Sequence, residues 1–228
     1  MKFGITLLLL LSSINFSGNA DDSSATRLKA VDYVLKIYKH GLPYAEARKY
    51  AAEDVPALIN VLSDAREEKF WANTVLLLGI IGTDEAVTSL KTFLETRFTG
   101  EVSIDKFNAL LSVLQALGHA ASRGNSSALK YLLSNSLPEQ WSALDLRWKF
   151  KKYEGEKLHI LLSKLSMQGL ALSCRPEARE LLLKMRDSKD ETYVSLRKFA
   201  TDDIRECIES YDTLSKEGHE KVLKYREP

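Results

Sequence analysis

Cysteine is scarce in this chain. Its 228 residues include two, Cys174 and Cys207, and no CxxC pair, which leaves thiol-exchange catalysis without its motif. An oxidising compartment would let the two thiols bond to each other; otherwise they are small core residues. Sequence spacing does not show whether their Cα atoms come within the roughly 4.4–6.8 Å that a bridge requires. Proline and glycine are also few, 5 and 11, and the glycines fall between apolar runs rather than inside them. Strand-like alternation of apolar and polar residues does not stand out, so the expectation is a fold without sheets. An excess of either charge is missing: 32 Lys+Arg face 31 Asp+Glu. No strong field is available for nucleic acid or anionic lipid. No segment after the first twenty residues is long and apolar enough to span a bilayer, so no stable membrane anchor is expected.

Catalytic strings are missing as well. There is no GxSxG elbow, no Walker A loop and no GxGxxG turn, and the glycines are too scattered to cradle a phosphate. The four histidines, His40, His119, His159 and His219, do not pair at metal-ligand spacing. We read them as structural, and we expect no cofactor. Acidic pairs such as Asp202-Asp203 fall near helix starts, where negative charge is favourable.

What the chain does have begins with its first twenty residues. Met1-Lys2 carries a positive charge, Phe3 to Leu11 is an apolar run containing five consecutive leucines, and Gly18-Asn19-Ala20 places small residues at a cleavage point. This is the layout of a secretory signal peptide. The expectation is an exported protein, periplasmic or secreted, whose leader 1–20 is removed. The leader's only charge is Lys2, so the remaining chain would carry equal numbers of acidic and basic groups.

The rest reads as helix. Val55, Leu58, Ile59 and Leu62 share a face, as do Leu110, Leu111, Val113, Leu114 and Leu117, with the i, i+3, i+4, i+7 spacing of amphipathic helices. One corner recurs. Leu78-Gly79 leads through Gly82-Thr83 to Ala86 and Leu90; Leu117-Gly118 leads through Gly124-Asn125 to Ala128 and Leu132; Gln168-Gly169 leads through Cys174-Arg175-Pro176 to Ala178 and Leu182. Gly82 and Gly124 suit the left-handed end of a helix. Thr83, and Asn125 or Ser126, suit the N-cap of the next. Pro176 suits a first turn. The interval from Gly82 to Gly124 is 42 residues and that from Ala128 to Ala178 is 50, close to the roughly 40–47 of HEAT repeats with an insertion in the second.

Between Asp54 and Asp187 the chain resembles HEAT-like repeat proteins of bacterial type. The segment from Val55-Pro56-Ala57-Leu58 through Phe70-Trp71-Ala72-Asn73 to the Gly82-Thr83-Asp84 corner carries the likeness most closely. The resemblance implies an all-α fold, an α-solenoid or superhelix of stacked antiparallel helix pairs, working as a binding scaffold. Within one domain, 21–228, we expect a terminal hairpin over 24–52, repeats over 54–187 interrupted by an insertion at 136–155, and a C-terminal cap over 191–228. The hairpin would pair helices at Ser24–His40 and Pro43–Ala52, and the end of the cap would be a polar helix near Ser215–Tyr225.

The insertion is the most distinctive stretch. Read as a helix, Trp141, Leu144 and Trp148 fall on one face, with Arg147, Lys149, Lys151 and Lys152 beside them. Tryptophan and arginine commonly anchor protein interfaces, so Trp141, Arg147, Trp148 and Lys149 are the candidate contacts for an acidic or extended partner. The alternative is an extra helix whose tryptophans fill the groove beside a normal repeat. The function that follows is a non-catalytic, exported scaffold holding a protein or peptide, as an inhibitor, an immunity protein or an assembly factor. The competing readings are a HEAT-like lyase, which requires an acid and a base meeting in a cleft, and a purely structural domain.

Overall fold

A computed structural model describes residues 28–38 and 41–224. The proposed leader and His40 lie outside the described residues. Within them the fold is all-α: twelve helices and one pair of two-residue strands. The chain begins with two short helices, α1 (Ala30–Val34) and α2 (Tyr44–Ala47). Four helix pairs follow: α3 (Val55–Ser63) with α4 (Trp71–Ile81), α5 (Asp84–Glu95) with α6 (Ile104–Ser122), α7 (Ser126–Ser134) with α9 (Glu156–Ser173), and α10 (Pro176–Asp187) with α11 (Glu191–Glu217). The short α8 (Pro138–Ser142) lies inside the third pair, and α12 (His219–Lys224) ends the described chain.

The corners set these boundaries. Gly82 ends α4 in the left-handed region at φ 72°, and Thr83 accepts the Ala86 N–H as the N-cap of α5. Asn125, rather than Ser126, caps α7 by accepting from Ala128 N. At the third corner Cys174 takes the left-handed conformation, φ 50°, and Pro176 opens α10. Ala86, Ala128 and Ala178 are fully buried at these starts.

Packing sorts the helices into two layers. In one, α4 lies against α6, α6 against α9, and α9 against α11. In the other, α3, α5, α7 and α10 touch in succession, each packed on its own partner. Leu58, Leu62, Leu78, Leu90, Leu114 and Leu132 fill the space between, almost wholly removed from water. Within the first layer the backbones approach closely at the recurring glycine. A Cβ on Gly79 would stand 2.3 Å from the Ala116 carbonyl oxygen; on Gly118, 2.5 Å from that of Gly169; on Gly169, 2.4 Å from that of Leu114. No side chain fits there, which is a packing reason for glycine in a helix that otherwise disfavours it.

Two regions depart from expectation. In the terminal hairpin, two long helices were expected, but α1 and α2 are short. The Asn73 amide donates to the carbonyls of both Val34 and Lys36 at 3.0 Å, so these acceptors are turned to a tertiary partner instead of a continuing helix. In the insertion, the helix ends at Ser142 and the chain straightens. From Leu144 to Phe150 the side chains alternate between sheltered Leu144, Leu146, Trp148 and Phe150 and exposed Asp145, Arg147 and Lys149. That is the period of a strand. Strand β2 (Trp148–Lys149) pairs in parallel with β1 (Gly100–Glu101), which lies in the loop between α5 and α6.

Candidate functional site

The insertion supplies the surface that the sequence pointed to, in altered form. Trp141 and Trp148 do not stand on a docking face, because both are inside the protein, at 0 and 2 % exposure. Trp141 meets the Tyr131 ring edge-on at 6.2 Å. Trp148 donates its indole N–H to the Leu94 carbonyl at 2.8 Å, supplying a partner to one of the acceptors that the end of α5 leaves open. Phe150 stacks on Phe107 at 4.4 Å. The apolar edge of the ribbon is therefore anchored in the second helix pair, while Trp141 fixes the preceding α8 to the third. Backbone bonds from Gly100 N to Arg147 O, 2.6 Å, and from Val102 N to Lys149 O, 2.9 Å, fix its height.

Arg147 and Lys149 occupy the opposite, solvent edge. They border an open-sided depression of about 330 Å³ between the ribbon and the start of α9, whose walls include Leu144, Glu154, Leu158 and His159. Lys149 reaches Glu154 at 2.9 Å, and that hydrogen bond holds the lysine pKa above its ordinary value. His159 is half-buried there. Burial pulls its pKa below the usual imidazole range, with Glu156 opposing, so it is neutral at physiological pH. The depression thus offers a cation in Arg147, a compensated ion pair, a neutral imidazole and an apolar floor. Glu154 and His159 carry no signal in the linear sequence. The alternation of residues 144–150 is the clue that would have located the ribbon.

The two cysteines are not joined. Both are free thiols, Cys207 buried and Cys174 half-buried. Cys174 sits at the end of α9, where its carbonyl accepts from Tyr211 Oη at 3.3 Å. Cys207 lies one turn before Tyr211, inside the core, and burial raises its thiol pKa strongly. Asn125, which with Ser126 and Ser127 spells an Asn-X-Ser glycosylation sequence, is likewise committed to structure: its oxygen caps α7, and its Nδ2 donates to the Gly82 carbonyl at 3.1 Å and to Asp84 at 2.9 Å.

A second cluster was not foreseen. Tyr44, His119 and His219 come from α2, α6 and α12, and their rings meet within about 6 Å. No spacing in the sequence links them. Among the described residues no group of three or more His, Cys, Asp or Glu side chains is arranged to hold a metal ion, and no helix is long and apolar enough to cross a membrane. No protein-family model, curated protein or solved structure matches the chain.

Proposed function

We propose that the protein is an exported, non-catalytic binding scaffold built as a HEAT-like solenoid, and that it holds a protein or peptide partner against the ribbon of residues 144–150. The order of helix contacts, pair by pair in two layers, supports the solenoid reading, as does the glycine that recurs at Gly79, Gly118 and Gly169. The observation that carries the binding reading is the two-sidedness of the ribbon. Its apolar edge is locked by Trp148 and Phe150, while Arg147 and Lys149 are presented on a rigid support beside a depression. Preorganised presentation of this kind lowers the entropy that binding has to offset. The partner's matching feature is an extended segment bearing a carboxylate, which Arg147 can take in a bidentate pair.

The test is recovery of a partner with the tagged protein from the exported fraction, compared with an Arg147→Glu/Lys149→Glu variant. One partner at near-equal stoichiometry, lost by at least tenfold in the variant while the melting temperature holds, is the expected outcome. Recovery of no stoichiometric partner counts against a scaffold. If the partner is an enzyme and its activity falls on binding, the role is that of an inhibitor or immunity protein; if it is a component of a larger complex, the role is assembly. Sequencing of the exported protein, expected to start at Asp21, tests the leader separately.

A further inference from the structure

The two ends of the described chain meet. Helix α2 packs against α12, at the edge where α6 and α9 finish. The Tyr44 ring lies 5.3 Å from that of His119 and 6.1 Å from that of His219, nearly parallel to the latter at 25°. The imidazoles are 6.0 Å apart. Arg48, one turn after Tyr44, forms an ion pair with Glu220, the neighbour of His219. His219 Nε2 meets the Leu172 carbonyl at 2.6 Å. A carbonyl only accepts, so Nε2 carries the proton, and the bond satisfies one of the carbonyls left open by the last turn of α9. The contact between the chain ends therefore runs through one imidazole that holds a proton on Nε2.

We propose that α12 is a clasp that acid releases: a second proton on His219 breaks its fit against α2, α6 and α9 and frees the C-terminal helix. The groups around His219 offer the new charge little compensation. From α2 come Tyr44 and the cation Arg48, with Arg123 and the thiol of Cys174 near Tyr44; from α6 comes His119; from the end of α9 comes the Leu172 carbonyl; from α11, which also packs on α12, comes Glu217, paired with Lys221. On α12 itself the carboxylate of Glu220 is engaged by Arg48. Burial raises the pKa of Tyr44 and of Cys174, so neither becomes an anion in the range where imidazole titrates. Burial, with Arg48 adding to it, also holds His219 below the ordinary imidazole range, against the opposing pull of the Leu172 bond. The closed form thus binds the second proton less readily than the open form. Closure is fully stable above the ordinary imidazole range and is lost as pH falls below about 6.5 toward the depressed value. Opening would expose Tyr44, Leu223 and the ends of α6 and α9, now covered.

Hydrogen exchange of the whole protein at pH 7.5 and pH 5.0, expressed as protection relative to the intrinsic rate at each pH, reads the clasp directly. Amides in Tyr44–Tyr50 and Asp212–Lys224 should lose protection on acidification, while α4 and α6 hold theirs. His219→Gln keeps a donor for Leu172 without a titrating charge and should erase the difference. Equal protection at both pH values in the natural protein, or the same acid-induced loss in His219→Gln, overturns the proposal. If that variant is open even at pH 7.5, titration of the His219 ring by NMR in the natural protein decides: a midpoint below about 6.5 supports the clasp, and one at or above it refutes it.

Discussion

Gly118→Ala turns the close approach of α6 and α9 into a sign test. An alanine in a helix is favoured over glycine by about 1 kcal/mol, so without a steric conflict the variant would be more stable. The added methyl, however, would stand 2.5 Å from the Gly169 oxygen, 2.9 Å from the Gly169 Cα and 3.0 Å from the Leu172 Cβ. Comfortable contacts lie near 3.5 Å or beyond, so two helix backbones must separate by roughly 1 Å. Overpacking of a filled core costs about 1–3 kcal/mol, and a conflict with backbone, which cannot rotate away, belongs at the upper end. After subtraction of the helix preference, a net loss of about 2 kcal/mol remains. In a chain of this length that is about 4–8 °C in melting temperature. Urea titration followed by circular dichroism should show a lower midpoint with an unchanged slope, the mark of lost stability without a changed unfolded state. Gly79→Ala, facing Ala116, should behave alike. A Gly118→Ala protein as stable as the natural one, or more so, would mean that the helices of this layer do not approach as described.

Trp148→Ala should destabilise by about 3–5 kcal/mol, as truncation of a buried aromatic does, whereas Arg147→Ala and Lys149→Ala should stay within about 0.5 kcal/mol on the same denaturation curve; a mild Trp148→Ala would return that residue to the surface. Asn125→Ala removes the α7 cap and the bond back to Gly82 together, for an expected loss of about 1–3 kcal/mol by urea titration, and a neutral result would show the junction to be dispensable. Titration with a thiol reagent, without reductant, should count two thiols per chain in guanidinium and leave Cys207 unreactive in the folded protein; thiols that appear only after reduction would establish a bond that the fold does not contain.

The parts of the fold written in local chemistry were legible. Gly82-Thr83, Asn125 and Pro176 end and start helices through their own side chains and neighbouring backbone, so their roles follow from a few adjacent residues. The recurring Gly79, Gly118 and Gly169 were visible as a pattern, but their reason was not, because each is set by a backbone contributed from another helix. The insertion was misread for a related cause. Trp141, Leu144 and Trp148 satisfy helical spacing, and the competing alternation over Leu144 to Phe150 becomes decisive only when Gly100–Glu101 supplies a strand partner from far away in the chain. That switch moved Trp148 from the expected docking face into the core while leaving Arg147 and Lys149 outside. The meeting of Tyr44, His119 and His219 had no sequence signature at all, since it depends on α12 turning back after Gly218.

The pairing of Gly100–Glu101 with Trp148–Lys149 has a consequence for how the molecule comes apart. Stacked helix pairs that touch only their neighbours can unzip one at a time from either end. Here a loop from the second pair is hydrogen-bonded to the insertion of the third, and the indole of Trp148 closes the end of α5. Neither pair can loosen without breaking the other's backbone ladder. The stretch from α5 through α9 is therefore expected to open as one cooperative block, its slowest-exchanging amides sharing a single free energy, while the joined α2 and α12 open separately from it.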